Sequence, residues 1–108
     1  MRLNKQQKAL CRLAGGKIYR IIKLEHRHDP QSPWTPGEAR NNQTIPRKFT
    51  GFHKEGENLF LTWDITDPTK AGRASTYANC KEFSHSEDGS KIVVESDYGR
   101  LTYESTEP

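Results

Sequence analysis

A chain of 108 residues with a net charge of +3 is sized for one domain and leaves no room for a second. Leu, Ile, Val and Phe together number nineteen, a lean supply close to that of disordered chains, but ten aromatic residues and the small net charge argue for a folded core. No run approaches the roughly 18 apolar residues that cross a bilayer as a helix. No apolar stretch follows Arg2, Lys5 and Lys8, so the chain reads as one without a secretory signal. It is expected in the cytoplasm, with Cys11 and Cys80 as reduced thiols, and there Asn42-Gln43-Thr44 has no meaning as a glycosylation pattern.

The charge is unevenly spread. Residues 1–54 carry twelve Lys/Arg against Glu25, Asp29 and Glu38, a net +9, whereas residues 55–108 carry a net −6. Halves of opposite sign suggest a polyanion-facing side or a charge-matched partner, unless the halves interleave in the fold.

Asn4-Lys5-Gln6-Gln7 opens a helix, with Asn4 as cap and Gln7 at the capping-box position. Leu10, Leu13 and Ala14 fall on one face, Lys5, Lys8 and Arg12 on another, and Gly15-Gly16 stops it, the first glycine suited to the left-handed position. Lys17 to His28 reads as extended, with Ile18, Ile22 and Leu24 on one face and Tyr19 and Ile21 on the other. A proline-rich connection at 29–46 follows, in which Thr35-Pro36-Gly37-Glu38 predicts a single helical turn. The clearest stretch comes next. Leu59, Leu61, Trp63 and Ile65 alternate with polar residues as a half-buried strand, and the turn Glu55-Gly56-Glu57-Asn58 joins it to a partner strand at Lys48–His53. Asp67–Arg73 reads as a loop and Ser75–Cys80 as a strand carrying Tyr77. Ser86–Ser90 is a turn into a strand at Lys91–Glu95, and Asp97–Arg100 turns into another at Leu101–Glu104, leaving 105–108 as a tail. The expected organisation is a single domain over 1–108, with a helix and its stop in 1–16 and a β domain in 17–104. It is mostly β, a small antiparallel SH3-like or OB-like curled sheet or barrel of five or six strands.

Few residues are patterned for chemistry. His26 and His28, at i, i+2 on a strand, have metal-ligand spacing with His53 or His85 as a third donor, but at a strand end exposed histidines are commoner, and no metal or cofactor is expected. Cys80 lies five residues from His85 without an orienting third group, and both cysteines fit as small buried hydrophobes. Gly15-Gly16-Lys17 and Gly89-Ser90-Lys91 lack the strand–glycine–helix order of a phosphate loop. An enzyme is not expected.

Binding has more support. Lys5, Lys8 and Arg12, with Arg2, and the pair Arg47-Lys48 ahead of the hairpin offer cations to phosphates. Lys48-Phe49 and Phe52-His53 add the cation–aromatic pairing that single-stranded nucleic acid uses, although both rings also suit the core. Trp34, held between Pro33 and Pro36, is either an anchor for a protein partner or a lid on one end of the barrel. The sequence thus points to a non-enzymatic module that binds nucleic acid or a nucleoprotein. The alternative is a protein–protein inhibitor or adaptor of the phage or mobile-element type, docking through the Trp34 loop.

Overall fold

The computed structural model describes residues 2–38, 45–67, 69, 72–76 and 80–106. Helix α1 (Lys5–Ala14) begins where the capping box places it. Asn4 Oδ1 accepts from the Gln7 N–H at 2.8 Å, and Gln7 Oε1 accepts from the Asn4 N–H at 2.9 Å. Leu10 and Ala14 are fully buried, and Leu13 is half-buried. The left-handed position falls to the second glycine and not the first: Gly15 keeps φ at −56° and Gly16 takes +83°. Gly15 continues the helical bonding instead, donating its N–H to the Cys11 carbonyl at 3.0 Å.

Eight strands follow: β1 (Ile18–His26), β2 (Thr35–Pro36), β3 (Arg47–Glu55), β4 (Asn58–Ile65), β5 (Gly72–Ser75), β6 (Glu82–His85), β7 (Lys91–Glu95) and β8 (Gly99–Ser105). All pair antiparallel, in the order β5-β4-β3-β1-β8-β7-β6, and the curled sheet is not closed. β3 pairs with the start of β1 at Ile18 and Tyr19, and β2 with its end at Glu25 and His26. The mostly β, antiparallel architecture is the expected one. The strand count exceeds five or six because short pieces escape pattern reading, notably the two residues of β2 and the four of β6.

Two bulges decide which side chains reach the core. Phe49 and Phe52 are three residues apart and would face opposite sides of a regular strand. The register slips between Phe49 and Gly51, so Phe49 is fully buried, Phe52 packs on the same core, and their rings meet edge to face at 5.8 Å. The second bulge lies between Ile21 and Lys23 of β1. It turns Tyr19 and Ile21 inward and packs Leu24 against the same core, whereas Ile22 is 52% exposed; the face expected to hold Ile22 with Leu24 is therefore split. Leu10 and Ala14 of α1 close this interior over Phe49, Trp63, Ile92 and Tyr103. Phe52 also meets Phe83 of β6 at 5.2 Å, so β3 and β6 approach each other across the curl.

Thr35-Pro36 forms no helical turn; it is the edge strand β2, in which the missing proline N–H costs no ladder bond. The Gly37 N–H continues the pairing by donating to the Leu24 carbonyl at 2.8 Å. β5 (Gly72–Ser75) shares only Ser75 with the strand expected at Ser75–Cys80 and starts inside the expected loop, while Cys80 lies in no strand; Thr76 extends the pairing by bonding both backbone groups of Leu61. Tyr77 and Asn42-Gln43-Thr44 lie outside the described residues. Ser105, expected in the tail, ends β8, and its N–H donates to the Ser90 carbonyl at 2.7 Å.

Candidate nucleic-acid interface

α1 presents the cations that the sequence places on one side. At 100° per residue, Lys5, Lys8 and Arg12 fall within an arc of about 60°, centred opposite the buried Leu10 and Ala14. All three are exposed, as is Arg2, and none forms an ion pair with a described residue. The helix contains no carboxylate. Lys5 and Lys8 therefore stand at the positive end of the helix dipole with nothing to offset them. Three cations of the C-terminal half are placed differently. Lys81 faces Asp97 at 3.1 Å, Lys91 faces Glu104 at 3.6 Å, and Arg100 holds Glu25 at 2.7 Å. The two charge halves interleave where β1 pairs with β8, but α1 stays outside that exchange.

The other two cations expected on this surface do not join it. Arg47 alternates with Lys48 and shares the inward side of β3 with Phe49, so it is only 5% exposed. Its Nε donates to the Ile45 carbonyl at 3.3 Å, and burial lowers its pKa. A side chain so enclosed offers nothing to an external phosphate. Lys48 is exposed, but on the face of the sheet opposite α1. There it stands across from Asp64, which stands across from Arg73, in a row of alternating charge. Thr50, Thr62, Asp64, Arg73 and Ser75 of this face line an open groove of about 520 Å³. The expected aromatic partners are likewise withdrawn, because Phe49 and Phe52 serve the core.

Trp34 is half-buried and lies outside the core cluster, so it does not close the barrel over the core as a lid would. Its ring lies 4.0 Å from the Arg27 guanidinium and 4.8 Å from that of Arg100. Arg27 is fixed in turn by its Nε donating to the Asp97 carbonyl at 2.6 Å. Arg100 donates twice to Glu25, at 2.7 and 2.8 Å, and Glu25 is almost fully buried. The loop therefore lays an indole over an ion pair on the outside of the sheet. No local sequence signal announces this group, since Glu25 and Arg100 are 75 positions apart.

Hydrogen bonds from Arg100 hold the Glu25 carboxyl below its usual range, against the opposing effect of burial. The stabilisation it gives is present above the unfolded value of about 4.3 and is lost as pH falls through the lower folded value. Glu25→Gln is expected to cost about 2 kcal/mol at pH 7, because Arg100 is left with a weaker acceptor in a part-buried site. Urea unfolding at pH 7 and pH 3 checks this: the gap between parent and variant should shrink at pH 3. A gap of the same size at both pH values would show that the carboxylate charge contributes nothing.

The remaining chemical candidates are dispersed. Cys80 is buried, its thiol is pushed up to about 11 by desolvation, and Sγ donates to the Glu82 carbonyl at 3.5 Å. Nδ1 of His85 donates instead to the Ser86 carbonyl at 2.8 Å. His26 and His28 are both exposed, and among the described residues no three His, Cys, Asp or Glu side chains gather as metal ligands. No helix of the described residues is long and apolar enough to cross a membrane. Set against known protein families, curated proteins and solved structures, the chain matches none of them.

Proposed function

We propose that the protein is a small non-enzymatic binding module that takes nucleic acid, free or in a nucleoprotein, against the solvent face of α1. One observation carries the reading: Lys5, Lys8 and Arg12 share a narrow exposed arc of a helix that has no carboxylate to neutralise them. Cations kept at an electrostatic disadvantage suit a surface whose partner supplies the negative charge. The protein–protein reading docks through the Trp34 loop, and there the ring already carries Arg27 and Arg100 at 4.0 and 4.8 Å. The helix face is therefore the better supported surface.

Replacing Lys5, Lys8 and Arg12 together with glutamine should hardly move the melting point, since all three are exposed and unpaired with described residues. Binding should respond strongly. Each lost phosphate contact reduces the slope of log affinity against log salt by roughly 0.7–0.9, so the triple change should remove about 2–3 from it. Salt titration of parent and variant on a labelled oligonucleotide reads this directly. Coincident slopes, or no binding by the parent, would overturn the proposal.

A further inference from the structure

We infer that the nucleic acid taken by α1 is double-stranded and is held through its phosphate backbone alone, without base stacking and without preference for sequence. The inference rests on the α1 reading above and adds the class of ligand. Single strands are bound by cations that track the backbone and by exposed aromatic rings on which bases stack. Among the described residues every large ring except Tyr98 is buried or half-buried, whereas the α1 cations are exposed.

Phe49 is fully buried, and Phe52 is packed between Phe49 and Phe83 with ring centroids at 5.8 and 5.2 Å. Phe60, which alternates with the buried Leu61, faces His53 at 6.2 Å on the side of the sheet away from α1. Trp34 is half-buried, with two guanidinium groups against its ring. Among the described residues the exposed large hydrophobics are Ile22 and Tyr98. Gly89, just before β7, lies against Leu13 of α1, whereas Tyr98 follows the other end of β7. About 16 Å of strand thus lies between Tyr98 and the point where Leu13 meets the sheet.

The residues beside the cations are no better suited to reading bases. Gln7 is spent on the capping box, and Ala9 is half-buried. What remains is a row of three charges about 10 Å long. Such a row gains most from a ligand whose phosphates are dense and already ordered, which a duplex provides at one charge per about 1.7 Å of axis. Each contact to a duplex also releases more counterion than one to a single strand, with slopes near 0.9 against 0.7 per phosphate.

The test is fluorescence anisotropy of the whole chain on labelled ligands: DNA and RNA duplexes of about 20 pairs, their scrambled versions, and the separate strands. The expected result is tighter binding to a duplex than to either of its strands, with scrambled duplexes equal within about twofold. The duplex slope should be about −2.7, a loss of about 40-fold between 50 and 200 mM salt, and the Lys5, Lys8 and Arg12 triple variant should lose it. A preference for either the DNA or the RNA duplex over its strands supports the inference and names the source. A single strand that binds as tightly as its duplex, or scrambled duplexes that differ tenfold, overturns it and leaves the α1 reading standing. Absence of binding to every ligand overturns both.

Discussion

Trp63→Ala is expected to lower the free energy of unfolding by about 3–5 kcal/mol, a large part of what so lean a domain can hold. Trp63 is fully buried and central to the aromatic packing. It stacks on Tyr103 at 4.3 Å, and it meets Phe49 and Tyr19 edge to face at 5.2 and 5.7 Å. Removing the indole withdraws a partner from strands β1, β3 and β8 together, so the cavity cannot be filled by one neighbour moving. Trp63→Phe should cost much less. It keeps most of the stack and removes Nε1, a buried donor with no hydrogen-bond partner among the described residues. Urea unfolding followed by circular dichroism measures both variants. An alanine variant that unfolds at the parent's midpoint would remove Trp63 from the centre of the core.

That central strand was legible because its period of two is uninterrupted from Leu59 to Ile65, and only a half-buried strand requires it. The N-terminus of α1 was legible for a similar reason: Asn4 and Gln7 satisfy each other within one turn. Strand faces were not legible where a bulge intervenes. Alternation places Ile22 with Leu24 and separates Phe49 from Phe52, and each register slip reverses the assignment beyond it. Whether a strand bulges is decided by its partner across the ladder, which the local pattern does not contain.

The candidate site divides along the same line. The helical row Lys5, Lys8, Arg12 follows from 3.6 residues per turn and is placed as expected. Arg47 and Lys48 are adjacent in sequence, and only their charge groups them with that row. On a strand adjacent residues face opposite ways, so the sheet buries Arg47 and turns Lys48 away from the helix. Trp34 shows a third case. Its rigid proline flanks were visible, but its guanidinium partners come from β8 and from the residue just after β1, brought together only by the β1–β8 pairing.

Gly89→Ala is expected to cost about 2–4 kcal/mol, through two separable effects. The first is conformational: Gly89 has φ +74°, a left-handed backbone that a Cβ disfavours by roughly 1–2 kcal/mol. The second is steric. A Cβ at Gly89 would lie 2.9 Å from Cβ of Leu13 and 3.3 Å from its backbone carbon and oxygen, so α1 would have to shift. The turn has little freedom to yield, because the Gly89 carbonyl accepts from the buried Tyr19 hydroxyl. Asp88 beside it is tied by hydrogen bonds from Ser90 and Ser86, which hold its carboxyl at about 2. Gly56 separates the two effects. It has a similar φ of +62° in the β3–β4 turn, and a Cβ there would meet nothing within 4 Å. Gly56→Ala should therefore show the conformational cost alone, about 1–2 kcal/mol, and the excess at Gly89 reports the contact with Leu13. Below its melting transition the Gly89 variant should still bind a duplex with the parent's salt slope, since the row of cations is displaced as a unit with its helix. Equal losses at the two glycines would show that the β6–β7 turn does not hold α1 in place. An unchanged stability but a reduced slope would show that the docking of α1, and not its charge alone, sets the contact with phosphate.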